Sequence, residues 1–267
     1  MKISGNLHKM KTELVQGTAQ YYLILNSHTV NMNACIGKEI TFEHSGNINC
    51  IKCGVQVKKT FAQGFCYPCF STAPETEECV LKPELCRAHE GIARDMTYAE
   101  SHCLISQYVY LAQTGTVKVG VTRSTQIPTR WIDQGAERAM IIAQTPNRHL
   151  AGVIEVALKK HVNDKTNWRT MLSKSNTNEQ DLLQVYSKIA TILPESLRQY
   201  LVPEQTMHTI NFPGVESQTP VRSYNFDKTP IVKGVLTGIK GQYLIFEQGY
   251  VINIRKFGGY FVSFSCM

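Results

Sequence analysis

The sequence predicts an α+β protein, and three observations support that fold class. Short apolar or alternating runs separated by glycine-containing turns occur near both ends of the chain and in its middle, which is typical of β-hairpins. Two longer stretches, 150–162 and 181–200, carry apolar residues at helical spacing. Paired cysteines mark a separate segment that lies between the first strands and the first of these helical stretches. The chain is thus divided into an N-terminal β segment (1–49), a cysteine-rich segment (50–105), a mixed core (106–202), and a connector with a C-terminal β module (203–267).

The composition is that of a folded protein with a sizeable core. Hydrophobic residues make up 43% and charged residues 18% of the 267 residues, which excludes the disordered classes. The N-terminus lacks the apolar run of a signal peptide and no stretch is long enough to span a bilayer, so we expect a cytoplasmic protein without a membrane partner. In a reducing compartment, nine cysteines favour metal binding over disulfides.

Strand patterns predict that the two ends of the chain form one small barrel or sheet. Tyr21 to Leu25 is a compact apolar run in the N-terminal segment. Glu39 to Phe42 alternates in polarity and leads to a predicted turn at His44 to Asn47, so that a return strand begins at Ile48. Four runs near the C-terminus repeat this rhythm: 231–238, 242–247, 250–255 and 260–265. We expect a scaffold; the alternative is a surface for single-stranded nucleic acid.

Two cysteine pairs predict a metal site in the cysteine-rich segment. Cys50 and Cys53 are separated by two residues, and Cys66 and Cys69 repeat that spacing after twelve intervening residues. Two such pairs can bring four thiolates into tetrahedral geometry around zinc. Because four cysteines close the coordination shell, we expect this zinc to be structural; an iron–sulfur cluster or buried free thiols are the alternatives.

A second, less regular set of ligands follows the first. Cys86 and His89 have the spacing of a bidentate pair, and Cys79 with His102 or Cys103 would complete four ligands. The alternative is a group of ordinary buried thiols with a capping histidine. A ligand at position 102 or 103 would tie the cysteine-rich segment to the first strand of the mixed core.

The mixed core begins with a predicted hairpin and continues with helices. Its two strands are Tyr108 to Ala112 and Val117 to Thr122. The first helix has Pro128 near its first turn, and the second runs from Leu150 to Val162. A third helix is expected over 181–200, followed by an extended connector at 203–229. The amphipathic face of this third helix comprises Leu182, Leu183, Val185, Ile189 and Ile192.

Glu155 is the candidate cation ligand of this core. It falls off the apolar stripe of the second helix and faces a hairpin that bears Tyr110, Lys118 and Arg123. A half-buried carboxylate in such surroundings suits a divalent cation beside a phosphate. The alternative is a solvated helix residue.

The core resembles the GIY-YIG nuclease domain. Tyr108-Val109-Tyr110 stands where that family has its first tripeptide, and Lys118-Val119-Gly120 stands at its second, with Lys118 in place of an aromatic residue. Arg130 and Glu155 then follow in the order of the family's helical arginine and metal-binding glutamate, and Trp168 follows as in some subfamilies. The whole chain also resembles a bacterial family of unknown function with a cysteine-rich front.

The nuclease resemblance implies a role for each of these residues. Glu155 would hold Mg²⁺ or Mn²⁺, Arg130 would neutralise charge on the phosphate, and Tyr110 would help to activate the attacking water. Lys118 and Arg123 would orient the scissile phosphate.

The charge distribution favours a nucleic-acid partner. Residues 108–174 contain ten lysines and arginines against four acids, and most of the net charge of +7 lies there. A generic solvated basic face is the alternative.

Together, the resemblance and the basic core lead us to expect a metal-dependent endonuclease or phosphodiesterase acting on DNA. The rival hypotheses are a non-catalytic zinc-containing nucleic-acid-binding protein and a structural or protein-interaction role; the oligomeric state stays open.

Overall fold

A computed structural model describes residues 2–162, 167–172, 182–204, 206–215 and 222–267. It has the mixed α+β architecture with several sheets that the sequence predicts. The strands are β1 (Lys2–Asn6), β2 (Lys11–Val15), β3 (Thr18–Leu25), β4 (His28–Asn31), β5 (Glu39–Asn49), β6 (Gln56–Val57), β7 (Gln107–Gln113), β8 (Val117–Arg123), β9 (Arg138–Thr145), β10 (His208–Thr209), β11 (Arg222–Ser223), β12 (Ile231–Lys240), β13 (Tyr243–Phe246), β14 (Tyr250–Asn253) and β15 (Tyr260–Cys266).

The helices are mostly short. They are α1 (Tyr67–Thr72), α2 (Met96–His102), α3 (Thr129–Asp133), α4 (Arg148–Leu158), α5 (Trp168–Leu172), α6 (Leu182–Ile192) and α7 (Glu195–Arg198). Single 3-10 turns occur at Asn33–Cys35, Pro74–Thr76, Glu78–Val80, Pro83–Leu85, Ala88–Glu90, Ser124–Gln126, Glu247–Gly249 and Ile254–Phe257. Among the residues that the structure describes, no helix has both the length and the apolar character needed to cross a membrane.

The largest sheet joins the two ends of the chain, as expected, but it is larger than the small module predicted. Its order is β1-β15-β5-β12-β13-β14-β11, and β6 also pairs with β5. All of these pairs are antiparallel except β11–β14. Phe42 and Phe264 lie opposite each other in β5 and β15 with ring centroids 4.9 Å apart, and both are buried. A separate sheet, β2-β3-β4, contains the predicted run Tyr21 to Leu25 in β3, where alternate residues are buried.

The turn predicted at His44 to Asn47 is wrong, because these residues lie inside the eleven-residue strand β5. Val262 of β15 pairs with His44 and Tyr260 pairs with Ile48, so three residues of β5 oppose one residue of β15. Gly46, with φ of 88°, adopts the backbone conformation that this bulge requires. The strand continues through the bulge and leads directly to Cys50.

The mixed core is built on a second sheet of order β10-β9-β7-β8, in which every pair is antiparallel and β7 is central. The β7–β8 hairpin corresponds to the predicted one, whereas β9 was not singled out from the sequence. Apolar residues of this sheet form one buried cluster with α4 and α6; they include Val109, Leu111, Val119, Ile154, Leu158 and Ile189. The sheet therefore packs one face against two helices.

The helices of the core differ in extent from the predicted ones. Helix α4 begins earlier than expected, because the Asn147 side chain caps it by accepting a hydrogen bond from the Leu150 N–H at 3.0 Å, and it ends at Leu158. The helix predicted over 181–200 is two helices, α6 and α7, with Pro194 between them; residue 181 lies outside the described residues. Leu183 and Ile192 are exposed, so the predicted apolar face of this helix is narrower than expected.

The cysteine-rich segment has little apolar core. Seven of the thirteen exposed large apolar residues among the described ranges lie in it, including Tyr67 and Leu81. The segment docks on α4 through the turn Pro83–Leu85. Gly152 permits this close approach, because a Cβ atom there would lie 2.1 Å from the Glu84 nitrogen. Docking of the segment and the position of α4 are therefore linked.

Candidate functional site

The thiols of Cys50, Cys53, Cys66 and Cys69 converge into one group, which we call the first cysteine cluster. All four sulfur atoms lie within 4.8 Å of one another. Cys50 directly follows β5, and Cys66 is the N-cap of α1, so a sheet and a helix fix the two pairs. The grouping could hold a metal ion such as zinc.

Backbone N–H groups point at the sulfur atoms of the first cysteine cluster. The Cys66 N–H donates to Cys50 Sγ at 3.2 Å, the Lys52 N–H donates to the same sulfur at 3.4 Å, and the Cys69 N–H donates to Cys66 Sγ at 3.5 Å. Burial raises the pKa of the Cys50 thiol, but hydrogen bonds from the backbone of Cys66, Cys53 and Lys52 outweigh this effect, and the resulting pKa is about 6. The backbone therefore favours the thiolate form of Cys50, which is the form that binds a metal.

The thiols of Cys79, Cys86 and Cys103 form a second cysteine cluster, and all three are buried. The clustering does not include His89 or His102, the two histidines predicted as ligands. His102 instead has Nδ1 3.0 Å from the Tyr98 carbonyl oxygen and stacks its ring on Tyr98, whereas His89 stacks on His149 at 4.6 Å. Cys103, the C-cap of α2 and the alternative to His102, supplies the third thiol.

Arg148 connects the second cysteine cluster to α4. Its N–H donates to the Cys103 carbonyl oxygen at 2.8 Å, and its Nη1 donates to the Cys79 carbonyl oxygen at 3.4 Å. Interactions with the thiols of Cys79 and Cys86 lower the pKa of Cys103, and the Arg148 guanidinium lowers it further. Three thiolates beside an arginine could hold a metal ion with a lower charge cost than three thiolates alone.

Three predicted site residues come from different elements: Tyr110 from β7, Arg130 from α3 and Glu155 from α4. Arg130 interacts with both of the others. We call these three residues the Tyr110 group. The Tyr110 hydroxyl raises the pKa of the Arg130 guanidinium most, and the carboxylates of Asp133 and Glu155 contribute in the same direction. Tyr110 is 1% exposed, while Arg130 and Glu155 are half-buried.

The Tyr110 hydroxyl is held in place by residues of α3 and β8. Gln134 Nε2 donates to it at 2.6 Å and also donates to the Arg130 carbonyl oxygen at 2.8 Å. Gly120 leaves the space that the hydroxyl occupies, because a Cβ atom at that position would lie 2.5 Å from it. The central strand, its neighbour and α3 therefore fix one oxygen atom beside one guanidinium.

Lys118 and Arg123, predicted as phosphate contacts, occupy different surroundings. Lys118 is only 6% exposed within β8. Arg123, at the end of β8, lies near Tyr98, Arg148 and Cys103: burial lowers the pKa of its guanidinium, and the nearby Arg148 lowers it further. Arg123 therefore belongs with the second cysteine cluster.

Comparison with known families assigns the chain to one of them. A family model described as a protein of unknown function, DUF2797, matches residues 37–262. The chain belongs to the DUF2797 family. The match begins just before β5 and ends within β15, so it includes both cysteine clusters and the Tyr110 group. No curated protein and no solved structure matches the chain.

Two residues that contact the candidate site, Gln134 and Arg148, were not singled out from the sequence. Gln134 follows α3 at a position without any chemical motif, and only the tertiary fold brings its amide to Tyr110. The capping residue Asn147 could have placed Arg148 in the first turn of α4, but only the tertiary fold brings it to Cys79 and Cys103.

Replacing Cys66 with serine is expected to release the metal of the first cysteine cluster and to lower the thermal unfolding midpoint by several degrees. A serine hydroxyl is a poor ligand, and metal binding contributes folding free energy to a segment with little core. Elemental analysis and differential scanning fluorimetry measure both effects. Cys266→Ser, which removes a half-buried thiol outside both clusters, is the control. Wild-type protein without tightly bound zinc or iron would contradict the assignment.

Replacing Cys103 with serine is expected to reduce the bound metal from about two ions per chain to about one, because it removes a thiol of the second cysteine cluster. Elemental analysis of freshly purified protein measures this ratio. His102→Ala should leave the ratio unchanged, since its Nδ1 faces a backbone carbonyl. A metal content that falls in His102→Ala and not in Cys103→Ser would reverse the assignment of the ligand.

Proposed function

We propose that the chain is a metal-dependent phosphodiesterase that acts on DNA, with the Tyr110 group as its reaction centre. The observation that carries this proposal is the shared position of Arg130 beside the Tyr110 hydroxyl and within electrostatic reach of the Glu155 carboxylate. These residues are separated by up to 45 positions in sequence and come from three elements. An activating oxygen, a cation and a carboxylate in one place are what hydrolysis of a phosphodiester requires.

The topology of the core supports the same proposal. The resemblance to the GIY-YIG domain leads us to expect a hairpin that carries the two tripeptides, then an arginine on a helix and a glutamate on a later one. Tyr110 pairs with Gly120 across β7 and β8, and α3 and α4 carry Arg130 and Glu155. Gly120 also has a physical role, because any side chain there would displace the tyrosine hydroxyl.

The Glu155 carboxylate is the ligand that we propose for a divalent cation. Magnesium commonly binds through one or two carboxylates and completes its coordination with substrate phosphate and water. Within the described ranges, no cluster of three or more ligands includes Glu155, so a cation there would depend on the substrate for its remaining ligands. When bound, Mg²⁺ or Mn²⁺ would stabilise negative charge on the phosphate oxygens.

Each residue of the Tyr110 group has a separate task in the proposed reaction. Glu155 would hold the cation, and the Arg130 guanidinium would neutralise charge as it develops on the phosphate. The Tyr110 hydroxyl, whose oxygen accepts a hydrogen bond from Gln134, would help to orient the attacking water. Gln134 is a positioning residue in this scheme.

A basic surface near the end of α4 supports a nucleic-acid substrate. An open cavity there is lined by Lys159, Lys160, His161 and Lys188, with Val185 and Ile189 among its apolar lining. Lysines attract phosphates and release counterions from a nucleic-acid backbone. We further propose that the first cysteine cluster binds zinc as a closed structural site, because four thiolates leave no position for substrate.

The second candidate is a nucleic-acid-binding protein that keeps this fold without cleavage. The burial of Tyr110 favours it, because a reacting water would need access to a hydroxyl that is 1% exposed. The identity of residue 118 favours it too, because the second tripeptide of the GIY-YIG domain begins with an aromatic residue and this chain has Lys118 there. Both candidates predict DNA binding, and only the first predicts hydrolysis.

Replacing Glu155 with glutamine should abolish cleavage while keeping or raising affinity for DNA, because the cation ligand is lost and the surface becomes more positive. Arg130→Ala should lower both, by about a hundredfold or more in rate, since its charge serves bound phosphate and transition state. Gel assays with Mg²⁺ or Mn²⁺ on plasmid, branched and single-stranded DNA measure cleavage.

Glu195→Gln, which removes an exposed carboxylate in the first turn of α7, is the matched control. Wild-type protein that cleaves no substrate of this panel would favour the non-catalytic candidate. Cleavage by Glu155→Gln at the wild-type rate would show that the reaction centre lies elsewhere.

DNA affinity is expected to fall steeply with salt, and the double variant Lys159→Ala/Lys160→Ala should reduce the slope of log K against log salt by about one to two for duplex DNA. The slope reports the number of phosphates neutralised, so the change isolates these two lysines. Fluorescence anisotropy over a range of salt concentrations measures it. Absence of binding at low salt would contradict both candidates.

A further inference from the structure

An exposed aromatic face lies on the cysteine-rich segment; it is formed by Phe61, Tyr67 and Phe70. Phe61 stacks on Phe70 with ring centroids 5.6 Å apart and an interplanar angle of 23°, and Tyr67 meets Phe61 edge-on at 5.5 Å. Tyr67 is 64% exposed, more than any other Phe, Tyr or Trp side chain among the described residues. A large ring held in water beside other aromatic rings is a feature of interaction surfaces.

The first cysteine cluster fixes the orientation of the aromatic face. Tyr67 directly follows Cys66, and Phe70 directly follows Cys69, so two of the three rings are attached to residues whose thiols belong to the cluster. Cys66 caps α1, of which Tyr67 is the first residue. The rings are therefore presented on a pre-organised backbone, and binding to them costs little conformational entropy.

The stretch of chain that carries the aromatic face is basic. Residues 44–74 contain three lysines and no aspartate or glutamate. Lys52 is paired with Glu75 at 2.6 Å, but Lys58 and Lys59 form no ion pair in the part of the chain that the structure describes. The Lys59 ammonium lies 5.3 Å from the centre of the Phe61 ring. A cation without an ion pair, Lys59, thus borders the Phe61 ring.

We propose that the aromatic face binds single-stranded nucleic acid, with one base stacked on Tyr67 and the flanking phosphates beside Lys58 and Lys59. Every base has a π-face, so an exposed ring accepts a strand regardless of sequence, and lysines complement its backbone. Duplex DNA, whose bases are already stacked on one another, cannot use Tyr67 in this way. The proposal rests on the proposed function only for the choice of nucleic acid as ligand.

Fluorescence anisotropy of a labelled oligodeoxythymidine with the metal-loaded full chain tests this proposal. Tyr67→Ala should weaken affinity for the single strand by about fivefold to a hundredfold, whereas Tyr67→Phe, which keeps the ring, should stay within about twofold of wild type. Affinity for duplex DNA should be unchanged in both variants. Leu81→Ala, an exposed apolar truncation in the same segment, is the matched control.

A second measurement reads the stacking contact itself. Tyr67→Trp should bind the single strand as tightly as wild type, and its added indole fluorescence should be quenched by the oligonucleotide. Lys59→Ala should lower the salt slope for the single strand by about 0.7, the contribution of one phosphate contact. Metal content, measured for every variant, distinguishes a lost contact from a lost cluster.

The outcomes separate this inference from the proposed function. Tyr67→Ala with normal metal content and unchanged single-strand affinity would overturn the inference, whether or not the wild type cleaves DNA. Equal weakening for single strand and duplex would also overturn it, and no binding of either would point to a protein partner for the aromatic face. Weakening confined to the single strand supports the inference even if no substrate is cleaved.

Discussion

Thiol clusters take the place of a hydrophobic core in the cysteine-rich segment. The aromatic face and the position of α4 both depend on these clusters. Of the five buried residues in the segment's apolar cluster, three are cysteines: Cys79, Cys86 and Cys103. The remaining members are alanines, and seven large apolar residues of the segment are exposed. Such a segment cannot bury enough apolar area to offset the conformational entropy of ordering it. Metal–thiolate bonds would supply the missing free energy.

The second cysteine cluster contacts α4, and the large sheet contacts α3, so both help to position the Tyr110 group. Arg148 and the close approach at Gly152 tie α4, and with it Glu155, to the cysteine-rich segment. Asp133, at the end of α3, accepts a hydrogen bond from Gln242 at 2.8 Å and pairs with Lys9, so the helix that carries Arg130 is anchored to the chain ends. Glu155 is thus positioned by the cysteine-rich segment, and Arg130 is positioned by the ends of the chain.

Local patterns predicted the elements better than they predicted the distances between them. The β7–β8 hairpin, the C-terminal strands and the four-cysteine grouping follow from glycine-bounded runs and regular spacing, which are local in sequence. The turn at His44 to Asn47 was wrongly expected because a bulge with glycine resembles a turn when its partner strand is unknown. The choice of Cys103 over His102 depends on how α2 ends, and no sequence spacing specifies that rotation.

Hydrogen exchange of the full chain before and after removal of metal with a chelator tests most directly whether metal–thiolate bonding holds this segment. Amides that donate to sulfur, such as those of Lys52, Cys66 and Cys69, should be protected with metal and should exchange rapidly without it. Amides of β7 and β9 in the central sheet should stay protected in both states, because their core is apolar. Unchanged protection of residues 50–105 after complete metal removal would contradict the account.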